Sequence, residues 1–272
     1  MGIATGPAKE YALHIMVAAL RNLDWPNLEI HWAATQFVRA KEQSEKFYDE
    51  LCRLMETVDW PCPWFVHRTY VDVQKVRHVR RDLLDGNICV FDMVINNLQK
   101  LRGEFLDGDA EYFLEVGGDN PPPRMTVRRL MKLNVDVAFG LCFQRPERDA
   151  IFAEPYPLVW LYSWQMKDLE QFGLEPELKL EFEKAFENCP FLIPVYALKN
   201  WRRKRVLSNV ASGTGMVLIK RRVLENVGWR LPPSRYSSED LYFCHACNLR
   251  GYSTKIDLKL HVPHFDEDGF VY

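Results

Sequence analysis

The chain has 272 residues, 47% hydrophobic and 26% charged, enough apolar content to bury the core of one large globular domain. Its formal net charge of −2 excludes a global pull toward nucleic acid or anionic lipid, leaving only two local basic patches, Lys75 to Arg81 and Arg202 to Arg205. Seven scattered cysteines are not the dense, even set of a disulfide-stapled secreted domain, and no stretch approaches the roughly 20 apolar residues of a membrane span, so the expectation is a soluble, cytoplasmic protein.

In chain order, Ile3 to Thr5 reads as a short buried strand that Gly6-Pro7 turns aside. Leu13, Met16, Val17 and Leu20 recur at helical spacing within Tyr11 to Asn22, and Leu28 to Ala34 returns to a strand-like run. A helix is expected over Lys41 to Thr57, a strand over Phe65 to Val73, and a long amphipathic helix from Asn87 to Phe105 that stops at Asp107-Gly108-Asp109. Glu111 to Val116 is a strand cut by Gly117-Gly118-Asp119-Asn120 and three prolines, Val135 to Phe143 is apolar enough for a central strand, and Met216 to Ile219 follows Gly213-Thr214-Gly215 as a shorter one. Alternating strands and helices predict an α/β fold: a mostly parallel sheet covered on both faces in a single domain over residues 1–272, with about 145–205 as a loop and helix insertion. In such sheets ligands bind where loops leave the carboxyl ends of strands.

Three segments carry the chemistry. The first is Tyr112 to Pro123, an apolar strand ending in glycines and one carboxylate, Asp119, which forms a tight turn where phosphates can approach the backbone and a cation can sit between them. The bland alternative is a loop turn that Asp119 caps. The second is Ser237-Ser238-Glu239-Asp240, paired carboxylates opening a helix that leads to Gly251-Tyr252; stabilisation of the helix N-terminus is its alternative reading. The third is His261-Val262-Pro263-His264-Phe265-Asp266, late in the chain.

These segments together resemble the GT-A-fold nucleotide-sugar glycosyltransferases of the family 2 type. Their strand-end Asp-x-Asp motif, aligned on the prolines, sets Asp119 in place of the second aspartate and Gly117 in place of the first. The resemblance implies a GT-A, Rossmann-like fold and a metal-dependent, inverting transfer of a sugar to a hydroxyl. Asp119 and His264 are the implied ligands of Mn²⁺ or Mg²⁺, with His261 second to His264. Asp240 is the implied general base and Glu239 the group that holds the acceptor. By the same analogy Thr5, Gly6, Pro7, Thr35 and Gln36 line the nucleoside site, with Gly118, Gly213 and Gly215 beside the donor. The implied partners are a UDP- or GDP-sugar and a hydroxyl-bearing acceptor, a glycan or a nucleic acid. A nucleotidyltransferase, with a basic loop after the first strand for which Gly6 and Lys9 are candidates, and a non-catalytic nucleotide-sugar-binding protein are the rival readings. Cys244-x-x-Cys247 lacks a second pair at zinc spacing and is expected to be core thiols; Trp160 to Trp164 pack or form a sugar platform; Arg202 to Arg205 face solvent or close on the diphosphate.

Overall fold

The computed structural model describes residues 1–37, 40–71, 90–144, 156–162, 192–194, 201–230 and 239–266. The first half alternates as expected: β1 (Gly2–Thr5), α1 (Leu13–Arg21), β2 (Ile30–Phe37), α2 (Lys41–Thr57), β3 (Trp64–Val71), α3 (Val90–Asp107) and β4 (Tyr112–Gly117). There follow α4 (Thr126–Met131), β5 (Val137–Gln144), β6 (Tyr156–Pro157), β7 (Val159–Tyr162), β8 (Leu192–Pro194), β9 (Val206–Ser208) and β10 (Val210–Ser212). The last are β11 (Met216–Lys220), α5 (Arg221–Leu224), α6 (Glu239–Leu249) and β12 (Thr254–Val262). The basic patch Lys75 to Arg81 lies outside the described residues. The helix expected from Tyr11 begins at Leu13. Pro7–Ala12 before it is a 3-10 helix whose proline starts the winding directly after Gly6.

The main sheet runs β3-β2-β1-β4-β11-β5-β12-β9, with β6 beside β5, while β10-β7-β8 form a separate small sheet. β3, β2, β1 and β4 are mutually parallel, and β12 is parallel to β5. Among the described residues only β11, β9 and the two-residue β6 run against the other six, so the α/β class with a mostly parallel, Rossmann-like sheet flanked by helices holds. The reversed β11 has a local consequence: Met216 at its start pairs with Val116 at the end of β4, so the glycine-rich lead into β11 shares a rim with the β4 turn.

Alternation along the strands fills both faces. One face carries Ile3, Trp32, Leu114 and Val116 under α1, α2 and α4; the other carries Ala33, Phe113, Phe139 and Ile219 under α3, α5 and α6. Each such side chain contributes about 1.5–3 kcal/mol on burial, and truncating the fully enclosed Phe139 to alanine would cost about 3–5 kcal/mol. In β12 the register with β5 slips between Asp257 and His261, and Arg129 grips Asp257 with two bonds of 2.8 and 2.9 Å at the irregularity. After the slip His261 is exposed with its ring edge-on to Phe143, while Val262 is buried. No helix among the described residues is long and apolar enough to cross a membrane, and the described cysteines are all free thiols.

Candidate active site

The carboxyl ends of β1 and β4, the start of β11, the N-terminus of α6 and the segment after β12 converge on one rim. Asn120 N–H bonds the Gly117 carbonyl at 3.1 Å to close the turn after β4, and Gly117 N–H bonds the Gly215 carbonyl at 2.9 Å to join that turn to the β11 lead. Glycine is required at two of these contacts: a Cβ on Gly118 would lie 2.8 Å from the Ala4 carbonyl oxygen, and one on Gly215 2.8 Å from Asn120 Oδ1. The chain after β12 is stitched to the same turn, with Phe265 N–H donating to the Asp119 carbonyl at 3.0 Å and Asn120 Nδ2 to the Pro263 carbonyl at 3.2 Å.

Asp119 is almost fully buried, and one carboxylate oxygen, Oδ2, gathers three partners: the Lys9 ammonium, the Tyr11 hydroxyl at 3.2 Å and His264 Nε2 at 3.2 Å. Burial alone would raise its pKa, but the His264 hydrogen bond and the Lys9 charge win and hold it down to about 2. His264 is the reciprocal case: burial works against its charge, and Asp119 outweighs that and raises its pKa. Its Nδ1 lies 3.1 Å from the Phe143 carbonyl oxygen, which can only accept, so Nδ1 carries a proton. Nε2 then faces Asp119 either with a second proton or with a lone pair awaiting a cation.

Among the described residues the other half of the rim is acidic, with no cation in it. Period-two alternation turns Glu115 toward the face covered by α6, where Glu239 and Asp240 begin that helix. Glu115 and Glu239 are buried, and each has a carboxyl oxygen, Oε2, without a hydrogen-bond partner among the described residues. Burial, followed by the charge of Asp240, pushes Glu115 well above the usual carboxylate range and Glu239 up to about 8. Asp240 is raised by burial against the opposing bond from Thr214, whose hydroxyl donates to Asp240 Oδ1 at 2.5 Å. Cys142 and Cys244, pushed to about 12 chiefly by burial, stay protonated thiols beside this group.

The structure thus brings Thr5, Gly118, Asp119, Gly213, Gly215, Asp240 and His264 to one rim. Gly118 packs on Thr5, and Gly213 faces Leu158 and Asp240 Oδ2 on the side where it lacks a Cβ. Gly6 and Pro7 begin the winding that delivers Lys9 and Tyr11. Thr35 and Gln36, expected in a loop lining the nucleoside, are instead interior residues of β2, which stays paired with β3 through Phe37. Both are buried. Thr35 donates to the Thr5 carbonyl at 3.2 Å and accepts from Asn97 of α3 at 2.9 Å, bracing the rim from beneath, and Gln36 reaches the Ser44 carbonyl at 3.4 Å. Sequence reasoning missed Glu115, Thr214, Tyr11 and Asn97, and gave Lys9 only to the rival reading. Glu115 left a readable sign, an acid inside an apolar strand. Cys244 and Cys247 are buried thiols, as expected, Trp160 packs on the core, and Arg202 and Arg203 are exposed on a short 3-10 turn.

No protein-family model and no curated protein matches this chain. Among solved structures it is similar to S. aureus TarS 1–349, at a TM-score of 0.46 and 10% identity over 96% of this chain and 58% of that one. The structure of TarS 1–349 in complex with UDP-GlcNAc gives a TM-score of 0.45, again at 10% identity, covering 96% of this chain and 56% of that one. The inositol-1-phosphate CTP transferase from T. maritima gives 0.37 at 8% identity, over 96% of this chain and 85% of that one. The chain spans little more than half the length of the TarS 1–349 structures and about a third of a longer TarS structure.

Proposed function

We propose that this protein is a glycosyltransferase of the GT-A type, moving a sugar from a nucleoside diphosphate sugar, UDP- or GDP-linked, to a hydroxyl acceptor such as a glycan or nucleic acid. The observation that carries this reading is the division of the rim into a charge-paired carboxylate, Asp119, and a neighbouring group of elevated carboxyls around Asp240. Transfer to a hydroxyl needs both: one side holds a diphosphate, the other takes a proton.

The residues fit Mn²⁺ or Mg²⁺. Asp119 Oδ2 and His264 Nε2, 3.2 Å apart, stand close to the roughly 3 Å separation of neighbouring ligands in an octahedral shell, and the Phe143 carbonyl fixes the other His264 nitrogen as a donor. Such an ion, when bound, neutralises charge on the departing diphosphate. Lys9, which pairs with Asp119, is the side chain that would meet a phosphate oxygen of a bound diphosphate. Asp240 accepts the acceptor's proton, Thr214 holds Asp240 in place, and Glu239 orients the acceptor; this arrangement favours inversion. Thr5, Gly6, Pro7 and Gly118 form the floor on which the nucleoside rests.

Lys9, a basic residue directly after the first strand and on the site itself, favours nucleotidyl transfer as the second reading. One screen separates the readings: nucleoside diphosphate sugars, and nucleoside triphosphates with sugar phosphates, are supplied with Mn²⁺ or Mg²⁺ and products are measured. Release of nucleoside diphosphate that disappears in Asp119→Ala is the expected result. Pyrophosphate release would establish the second reading, and saturable binding without product a binding protein.

A further inference from the structure

At the opposite rim of the sheet, where β2 and β3 begin, a second cluster of ligating side chains belongs to no part of the proposed reaction. His31 of β2 and His67 of β3 are partly buried, and both project to the face covered by α3, which presents Glu104. His31 Nδ1 lies 3.0 Å from His67 Nε2, with the two rings 5° from parallel. The three residues offer ligand atoms all within 4.8 Å of one another.

The hydrogen-bond inventory shows why this meeting is unusual. Glu29 Oε1 lies 2.9 Å from His31 Nε2, and an ionised carboxylate only accepts, so Nε2 carries the proton and Nδ1 a lone pair. Across the cluster Glu104 Oε1 lies 3.8 Å from His67 Nδ1, beyond hydrogen-bond reach, so His67 Nε2 is free to carry the proton that it donates to His31 Nδ1. The two ring nitrogens thus meet across 3.0 Å over a single proton, the place a metal ion would take by binding both lone pairs. A carboxylate on the far nitrogen is also the arrangement that orients histidines for metal binding.

We propose that His31, His67 and Glu104 form a structural site for a divalent transition metal of the imidazole-preferring class, of which Zn²⁺ is the representative. Zinc takes nitrogen at about 2.0–2.1 Å in tetrahedral geometry, which sets ligand atoms about 3.3 Å apart, so the two imidazoles need only tilt out of line and Glu104 swing inward. Lys100, which pairs with Glu104, must release it; an exposed ion pair of this kind is worth about 0–1 kcal/mol and yields readily. A cavity of about 680 Å³ lined by Glu29, His31, Cys62 and Glu104 gives the ion its approach. The site would clamp the edge strands β2 and β3 to α3.

The test is a titration of the full chain with Zn²⁺ alone, followed by calorimetry and thermal melting. One equivalent is expected to bind and to raise Tm by about 5 °C near saturation, unchanged in the Asp119→Asn/His264→Gln double variant. His31→Gln and His67→Gln, on different strands, should each weaken binding at least roughly tenfold, and Glu104→Gln serves if either fails to fold. Absence of zinc binding in the wild type, or binding unchanged in all three single variants, would overturn the proposal and leave a shared proton between the imidazoles. Because the double variant disables only the Asp119 rim, failure here and failure of the glycosyltransferase reading are distinguishable.

Discussion

Two groups of acids sit within one rim of this sheet and behave in opposite ways. Asp119 is buried, yet three donors surround a single oxygen, and its pKa falls to about 2. Glu239 is buried to a similar degree among other acids, and its pKa rises to about 8. Burial is therefore not what separates them. The identity of the neighbours decides, and on the proposed reading the ionised carboxylate would meet cation and phosphate and the elevated ones would serve proton transfer.

The largest effect expected from breaking this division is at Asp240. Asp240→Asn should leave folding and donor affinity intact and lower the transfer rate by roughly 10² to 10⁴. If the pair only stabilised the start of α6, the same variant would lose about 0.5–2 kcal/mol of stability and keep normal turnover, so the melting temperature and the rate measured together decide. Next in size is Asp119→Asn. Its removal strands Lys9 and His264 without a counter-charge and should weaken cation-dependent nucleotide binding by roughly 10- to 100-fold, measured by calorimetry with Mn²⁺ present and absent.

The pH dependence sharpens the comparison, because the two acids contribute slopes of opposite sign. Asp119 is ionised in the folded protein below the pH at which it ionises when unfolded, so it adds about 2 kcal/mol at pH values above the ordinary 3.8, lost as pH falls toward 2. Glu239 keeps its proton in the folded state while the unfolded chain releases it near 4.5, so stability declines as pH rises from 4.5 to about 8. Urea melts across this range should show the Asp119 loss in the wild type only, absent from Asp119→Asn. Glu239→Gln removes the second slope: its Tm should exceed the wild-type value by several degrees at pH 8, the excess shrinking as pH falls toward 4.5. A Tm difference independent of pH would sink the assignment of an elevated pKa to Glu239.

The sheet was legible because its strands are apolar in alternation and bounded by Gly and Pro, which local physics reads well. Asp119 stood out for the same reason, as the one acid in a break built of glycines and prolines. Its partners could not be seen this way. Lys9 meets Asp119 across 110 positions and His264 meets it across 145, and nothing in a window of ten or twenty residues distinguishes Lys9 from any other exposed lysine. The strand position of Thr35 and Gln36 was hidden for a different reason: where a parallel strand ends is fixed by its neighbour, and β3 keeps pairing with β2 to Phe37, enclosing both. Glu115 was visible as an interruption in a strand, but its meaning depended on which helix covered that face.

The stitching of residues 263 to 265 onto the β4 turn also bears on when the site comes into being. A chain is made from its N-terminus at about 5–20 residues per second, so β1, Lys9 and the Asp119 turn exist well before the imidazole that completes them. A ribosome-bound intermediate that has emerged only as far as α6 can form the Lys9–Asp119 pair and the carboxyl group around Asp240, yet it has neither His264 nor the Phe265 and Pro263 backbone bonds that hold the turn. Residues 263 to 265 are thus the latch. Until residues 263 to 265 emerge, the nascent protein carries the separate parts of a site without the constellation that would let them act on a nucleotide.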